Sequence, residues 1–234
     1  MFITGTFIDE ISHDIPHQNW GKKEWSQDFT HMKQMGIKRV VLIRCGYKKW
    51  LTYPSQVLHK QEKAFTPYLD LVSLFLELSE KNQMEFYFGL YDSGRYWTSG
   101  NYKDEIRINK KVIEEVWELY GHSSAFKGWY LSQETNRNAG AIIDLYAELG
   151  GYCKTISGGK QVLISPYIDG VKNISMKKYI CFALMISISN LIFSQDIIIN
   201  GVNKNRLLTW DDFKGPPDQS MSYDAYTHWN INYT

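Results

Sequence analysis

Acidic residues recur in this sequence where predicted β-strands end. Asp9 and Glu10 follow one strand-like segment, and Asp92, Glu134 and Asp169 follow three others. The carboxyl ends of parallel strands lie at one edge of a sheet or barrel, so we expect these carboxylates to converge on one pocket. Two carboxylates facing each other across a pocket suit glycoside hydrolysis, in which one of them protonates the leaving group.

Glu134 is the predicted proton donor. Residues 128–134 predict a strand that presents Tyr130, Ser132 and Glu134 on one side, because side chains alternate along a strand. Aromatic neighbours would desolvate the carboxyl group and raise its pKa, as a general acid requires. The second carboxylate that such a reaction needs is sought among the other strand-end acids.

Further polar and aromatic residues at these strand ends are predicted to bind substrate. The planar guanidinium of Arg44 suits oriented hydrogen bonding, and large rings with polar tips suit sugars. The predicted catalytic residues are Glu134, Asp9 and Asp92, and the predicted substrate-binding residues are Glu10, Arg44, Tyr47, Trp97, Tyr130, Gln133, Tyr167 and Asp169.

Each of these residues also has a structural interpretation. An acid after a strand can cap the next helix, where negative charge suits the helix N-terminus. Arg44 can pair with a neighbouring strand-end acid, and the aromatic rings can pack the long loops. Glu134 fits the capping interpretation less well, since it lies four residues before Asn138, the predicted cap of the next helix.

Strand-like and helix-like segments alternate along the first part of the chain. Strands are predicted at 2–9, 38–44, 85–91, 127–132 and 161–165, and helices up to Gly36 and at 67–80, 104–120 and 138–156. Thr66 and Pro67 are the predicted start of the second helix. Such alternation favours right-handed βαβ units and a parallel sheet. Since a whole barrel takes about 250 residues, the predicted fold class is α/β, an incomplete (β/α)8 TIM-type barrel of about five βα units.

Composition narrows the class of partner. The 234 residues carry a net charge of +1 without a basic stripe, so no nucleic-acid partner is predicted. Aromatic residues make up 15% of the chain, which suits a cleft for an oligo- or polysaccharide. The three cysteines have neither the number nor the spacing of a disulfide framework or a zinc site, and we predict no metal and no other cofactor.

Residues 176–194 have the layout of a secretory signal peptide, with Met176, two lysines, an apolar run and Ser194 before Gln195. The run is shorter than the roughly 20 apolar residues of a comfortable membrane span, although an anchor at 179–193 is an alternative. A buried barrel helix is another. The predicted domains are a barrel at 1–172, this apolar helix at 173–194, and a short β-rich fragment of an unrelated domain at 195–234. Without an N-terminal signal, a cytoplasmic or membrane-anchored location is expected.

Several segments carry a family resemblance: Thr4-Gly5-Thr6-Phe7, Trp25 to Gly36, the strand ending in Arg44, Gly128 to Glu134, and Leu163 to Tyr167. Over about residues 2–170 the chain resembles the bacterial family called domain of unknown function 4434, which is similar to TIM-barrel glycoside hydrolases. The resemblance implies carbohydrate hydrolysis or binding, with Glu134 matching the strand-four proton donor of many retaining glycosidases. Those enzymes take their nucleophile from strand seven, so an incomplete barrel is expected to be impaired. Members of the family are usually exported.

A second resemblance concerns the tail. Residues 208–215 and 224–227 are similar to the start of a secreted zinc-protease family, domain of unknown function 922. The metal-binding helix motif of that family is missing, so no protease activity is expected.

Two further classes of protein stay open for the whole chain. One is a non-catalytic carbohydrate-binding or structural protein in which Glu134 hydrogen-bonds hydroxyl groups, and the other is a membrane-tethered protein.

Overall fold

The computed structural model of the chain describes residues 3–12, 19–133, 142–165, 198–199 and 202–203. The chain divides into two units, Met1–Tyr167 and Ile168–Thr234. The elements described in the first unit are β1 Gly5–Ile8, α1 Lys22–Gln34, β2 Arg39–Leu42, β3 Gly46–Tyr47, β4 Trp50–Leu51, α2 Gln56–Glu62, α3 Leu71–Asn82, β5 Glu85–Gly89, β6 Tyr91–Asp92, α4 Tyr102–Tyr120, β7 Phe126–Leu131, α5 Ile142–Ile156 and β8 Gln161–Ile164. In the second unit, β9 (Ile198–Ile199) pairs antiparallel with β10 (Val202–Asn203).

The main sheet has the strand order β1-β2-β5-β7-β8, and every neighbouring pair is parallel. A small second sheet, β4-β3-β6, follows the carboxyl ends of β2 and β5. The five predicted strands of the barrel therefore pair in the sequential order that successive βαβ units produce.

The two faces of the main sheet have different partners. Phe86, Phe88 and Trp129 lie in a core cluster with apolar side chains of the helices. Val41, Tyr87 and Tyr130 point to the other face, where they form a small cluster of strand side chains. Helices outside and a layer of strand side chains inside are the arrangement of a (β/α)8 barrel. The predicted α/β fold of TIM-barrel type is confirmed.

Helix α1 follows its sequence pattern closely. Trp25, Phe29 and Met32 recur at helical spacing and are all buried against the sheet. The ring of Trp25 meets that of Phe75 on α3 edge to face, with centroids 4.7 Å apart. After the helix, Gly36 has φ +84°, the left-handed conformation that commonly terminates a helix. The predicted stop at Gly36 is confirmed.

The region between β4 and β5 differs from its prediction. Helix α3 begins at Leu71 instead of Pro67, because the cap is Asp70, whose side chain accepts a hydrogen bond from Ser73 N at 2.9 Å. The short helix α2 was not predicted, since Leu58 is its one buried residue and no apolar stripe marks it. The prediction that Thr66 and Pro67 start the helix was wrong.

The end of β5 lies very close to β2. A Cβ atom on Gly89 would stand 2.1 Å from the carbonyl oxygen of Leu42, so this strand end requires glycine. Beyond Gly89 the chain enters the small sheet, where β6 pairs with β3. This change of sheet sets the position of Asp92 beside the carboxyl ends of the main strands.

Candidate active site

Polar side chains gather at the carboxyl edge of the main sheet. Asp9 and Glu10 follow β1, Arg44 follows β2, Asp92 ends β6 just beyond β5, and Gln133 follows β7. Strands β1, β2, β5 and β7 are consecutive in the sheet, so their carboxyl ends lie along one edge. This is the position at which TIM barrels build their active sites.

Arg44 and Asp92 form a buried ion pair. The Arg44 Nη1 atom donates to Asp92 Oδ2 at 3.1 Å, and the two side chains are only 17% and 6% exposed. The guanidinium also lies over the ring of Tyr47, 5.1 Å from its centroid. The ion pair that the sequence suggested for Arg44 is therefore present. Arg44 also makes a cation–π contact with the ring of Tyr47.

The second oxygen of Asp92 is held as firmly. Asp92 Oδ1 accepts hydrogen bonds from Trp97 Nε1 and from the backbone N–H of Gly94, both at 2.8 Å. Gly94 has φ +65°, which closes the tight turn after the carboxylate. Asp92 is thus a charged anchor that fixes Arg44 and Trp97, two of the predicted substrate-binding residues.

Glu10 is a buried acid with an unbalanced set of partners. Its side chain lies 7% exposed, and Oε1 accepts a hydrogen bond from Trp20 N at 3.2 Å. Oε2 has no hydrogen-bond partner among the described residues. Burial raises the pKa of Glu10 to about 7, against the lowering effect of the backbone N–H groups of Asn19 and Trp20. Glu10 can therefore exchange a proton near neutral pH.

Asp9 has a different environment from its neighbour. Its Oδ1 atom accepts from the backbone N–H groups of Ile11 and Ser12 at 3.0 and 3.2 Å, and the Ser12 hydroxyl donates to Oδ2. Both oxygens of Asp9 thus hold the loop that follows β1. This is a local turn of the kind that aspartate commonly forms.

Glu105, which the sequence interpretation missed, lies close enough to Asp92 to sense its charge. It is fully buried in the first turn of α4, and its Oε1 accepts from Gln133 Nε2 at 2.7 Å and from Ser93 N at 3.3 Å. Burial raises the pKa of Glu105 to about 7, and the charge of Asp92 adds to the rise. Glu105 shares the buried face of α4 with Asn109 and Val112, and an acid on that face was the available signal.

Gln133 joins the end of β7 to α4. Its side-chain Nε2 atom donates to Tyr91 O at 2.8 Å and to Glu105 Oε1. The backbone carbonyl of Gln133 accepts from the Tyr146 hydroxyl. Just before it, Ser132 Oγ donates to Leu90 O at 2.8 Å. The chain is therefore fixed on three sides immediately before residue 134.

Tyr130 lies two residues before Ser132, on the inner face of the sheet. Its buried ring meets Phe7 of β1 edge to face, with centroids 5.2 Å apart. Trp129 and Leu131 lie in the core cluster on the opposite face, as alternation along β7 requires. The predicted residues Glu134, Tyr167 and Asp169 lie outside the described residues.

Comparison with known families decides the membership of the chain. The sequence profile of Domain of unknown function (DUF4434) matches residues 3–212. The chain belongs to DUF4434. The match extends through the apolar stretch and into the tail, whose resemblance to the zinc-protease family stays a prediction. Among the curated proteins, no match was found.

Solved structures add a relative for this DUF4434 chain. A protein from Bacteroides thetaiotaomicron VPI-5482, provisionally named an alpha-L-fucosidase, is 55% identical with a TM-score of 0.68, over 72% of this chain and 52% of that one. This chain thus spans about half the length of that relative. A family 39 glycoside hydrolase from Bacteroides cellulosilyticus WH2 is 12% identical over 68% of this chain and 30% of its own, with a TM-score of 0.46. A β-glucosidase from Thermotoga maritima is 10% identical over 66% and 40%, with a TM-score of 0.43.

Within the described ranges, no cluster of His, Cys, Asp and Glu could hold a metal ion. Cys45 and Cys153 are both buried and unpaired with another cysteine. No helix of the described part is long and apolar enough to span a membrane. The predicted anchor at 179–193 lies outside that part.

Proposed function

We propose that this chain binds a carbohydrate at the carboxyl edge of its sheet and takes part in hydrolysis of a glycosidic bond. One observation carries the proposal: four consecutive parallel strands deliver acids, an arginine and aromatic rings to one edge, in a glycoside-hydrolase-like fold. The 55% identity to a protein provisionally named an alpha-L-fucosidase supports the same class of substrate. An α-L-fucoside is therefore the first substrate to test.

In this proposal Glu134 is the proton donor. It directly follows Gln133, whose side chain and carbonyl are both held by hydrogen bonds. A fixed backbone at this point would give the next side chain a defined approach to the leaving oxygen, and general acids depend on such placement. Behind Gln133, the raised pKa of Glu105, about 7, favours its neutral form below that pH, in which it adds no further negative charge beside Asp92.

The second carboxylate is proposed from the acids of the same edge. Retention needs carboxyl groups about 5–5.5 Å apart and inversion about 6.5–9.5 Å. Asp92 is favoured over Asp9, because Asp92 contacts Arg44 and Trp97, two predicted substrate-binding residues, while Asp9 contacts only its own loop among the bonds described above. Glu10 is a third candidate, because its Oε2 atom has no hydrogen-bond partner among the described residues and is available to a ligand.

Binding without hydrolysis is the alternative, and one observation favours it. Both oxygens of Asp92 are occupied by strong donors, as in a residue that anchors a binding surface. In that case Glu134 would accept a hydrogen bond from a sugar hydroxyl group. The hydroxyls and rings of the sugar would contact the predicted binding residues Arg44, Tyr47, Trp97, Tyr130, Gln133, Tyr167, Asp169 and Glu10.

The test is Glu134→Gln with Glu118→Gln as the matched control, because Glu118 is an exposed residue of α4. Hydrolysis of 4-nitrophenyl glycosides, beginning with the α-L-fucoside, is measured together with sugar binding by calorimetry. We expect Glu134→Gln to lose about a hundredfold or more in kcat with unchanged binding, and the control to keep both. Binding without turnover in the unaltered protein would establish the alternative. If the unaltered protein showed no binding and no turnover, the proposed function would be refuted.

A further inference from the structure

Two large aromatic side chains lie exposed side by side near the candidate site. Trp50 on β4 is 60% exposed and Phe65, in the loop before α3, is 51% exposed. Their rings meet edge to face with centroids 5.2 Å apart, and Phe65 N donates to Lys49 O at 2.8 Å. This backbone hydrogen bond ties Phe65 to the turn between β3 and β4 and so keeps it beside Trp50, although both rings stay exposed.

The small sheet connects this pair to the candidate site. Across β6, β3 and β4, the register aligns Asp92 with Tyr47 and Tyr47 with Trp50. Residues paired in this way carry their side chains on the same face of a sheet. With strands about 4.8 Å apart, Trp50 starts about 10 Å from Asp92. We call Tyr47, Trp50 and Phe65 the hairpin row.

Exposure changes steadily along this line. Asp92 is 4% exposed, Tyr47 is half-buried and Trp50 is 60% exposed. The row thus leads from the buried ion pair out to solvent. A side chain that served only to pack the hairpin would be covered, and Trp50 is not.

Cations accompany the rings of the row. Lys48 Nζ lies 4.9 Å from the centroid of Tyr47, on a ring that Arg44 also contacts, and Lys49 Nζ lies 6.0 Å from that of Phe65. Flat rings suit the apolar C–H face of a sugar, and ammonium groups can donate to its hydroxyls. Alternating rings and donors therefore match a chain of sugar units better than a purely apolar partner.

We propose that the hairpin row binds the outer sugar units of a glycan whose terminal residue occupies the strand-end site. The inference rests on the proposed function and narrows its substrate to a glycan of at least about three rings, given the ~10 Å offset along the small sheet. A monosaccharide glycoside would leave Trp50 and Phe65 uncovered.

Calorimetry with paired one-ring and three-ring sugars tests the inference. The pairs are methyl α-L-fucoside with 2′-fucosyllactose, methyl β-D-glucoside with cellotriose, and methyl β-D-xyloside with xylotriose. In Trp50→Ala we expect the affinity for the preferred three-ring sugar to fall about tenfold, with the affinity for its one-ring partner unchanged. Trp50→Phe should retain most of the affinity, because a flat ring remains.

Leu119→Ala is the control, since Leu119 is an exposed apolar side chain on α4, 45% exposed. Circular dichroism and the melting temperature verify that each variant is folded. Equal three-ring affinity in Trp50→Ala and the unaltered protein would overturn the inference and leave the proposed function standing, as would equal affinity of the unaltered protein for both sugars of its preferred pair. If the unaltered protein bound no sugar of the panel, the inference and the proposed function would fail together.

Discussion

Helix α4 carries two carboxylates that contrast in their hydrogen bonding. Glu115 accepts from Tyr53 Oη at 2.9 Å and Ser55 Oγ at 2.5 Å on one oxygen, and from Gln56 N and Val57 N at 2.8 and 3.1 Å on the other. Glu105, ten residues earlier, gathers its donors on Oε1, and its Oε2 has no described partner.

The number and placement of donors separate a structural acid from one whose pKa is raised toward neutral pH. Four donors occupy both oxygens of Glu115, which holds the N-terminus of α2 through the backbone N–H groups of Gln56 and Val57. Full burial with donors on one oxygen favours the neutral form of Glu105, whose pKa rises to about 7. The first arrangement stabilises the fold, and the second lies next to the candidate site.

The largest expected effect is on the structural acid. Glu115→Ala leaves four donors without their acceptor, and each lost hydrogen bond costs about 1 kcal/mol, so the free energy of unfolding should fall by about 4 kcal/mol. Urea denaturation measures it. Glu118→Ala on the exposed face of the same helix should stay within about 0.5 kcal/mol of the unaltered protein. Equal stabilities for Glu115→Ala and Glu118→Ala would show that Glu115 does not stabilise the fold through these hydrogen bonds.

Glu105→Gln should change the pH dependence of stability. The pKa of Glu105 is raised from 4.5 to about 7 in the folded state, so both states are protonated below pH 4.5 and burial then carries no penalty. Between pH 4.5 and 7 the unfolded chain ionises first, and the folded protein loses stability progressively, by up to about 3 kcal/mol above pH 7.

Glutamine imitates the protonated acid, so Glu105→Gln should match the unaltered protein at pH 4.5 and be more stable at pH 8. Urea titrations at the two pH values measure the gap. Glu115→Gln is the matched control, because an amide nitrogen cannot accept the hydrogen bonds that one carboxylate oxygen of Glu115 accepts, so the change should destabilise the protein at both pH values. A gap for Glu105→Gln that did not grow with pH would show that Glu105 is ionised in the folded protein.

The strands and the longer helices were predictable because each has a strong pattern. Trp25, Phe29 and Met32 mark the buried face of α1, and the strands are short apolar runs ending in acids or turns. Helix α2 could not be predicted in this way, since its N-terminus depends on Ser55 and on the distant Glu115. Thr66-Pro67 gave a local start signal that Asp70 overrode by capping α3.

The candidate site was predictable as far as strand ends supply it. Asp92, Arg44 and Gln133 follow strands and do meet at one edge, which the parallel order alone implies. Glu105 was missed because it comes from a helix, and attention to strand ends does not reveal a helical residue. That Asp9 binds its own loop could not be foreseen either, since aspartate after a strand suits a turn as well as a pocket.

The smallest expected effect concerns the donor that holds Asp92. Trp97→Phe keeps a large ring in a half-buried position and removes the Nε1–H group that donates to Asp92 Oδ1 at 2.8 Å. A lost hydrogen bond to a charged acceptor costs about 1.5–3 kcal/mol, and the Gly94 N–H on the same oxygen should compensate part of it. We therefore expect a loss of about 1.5 kcal/mol, measured by urea denaturation.

Trp50→Phe is the matched control, because it makes the same substitution at an exposed ring and should be nearly neutral for stability. If Trp97→Phe were equally neutral, Arg44 and Gly94 would be sufficient to hold Asp92. The indole of Trp97 would then be available to contact a bound sugar. A loss beyond about 3 kcal/mol would instead mean that the indole fixes the whole Asp92 turn, since one hydrogen bond cannot account for it. The size of this single change therefore decides whether Trp97 belongs with the anchoring side of the site or with its binding surface.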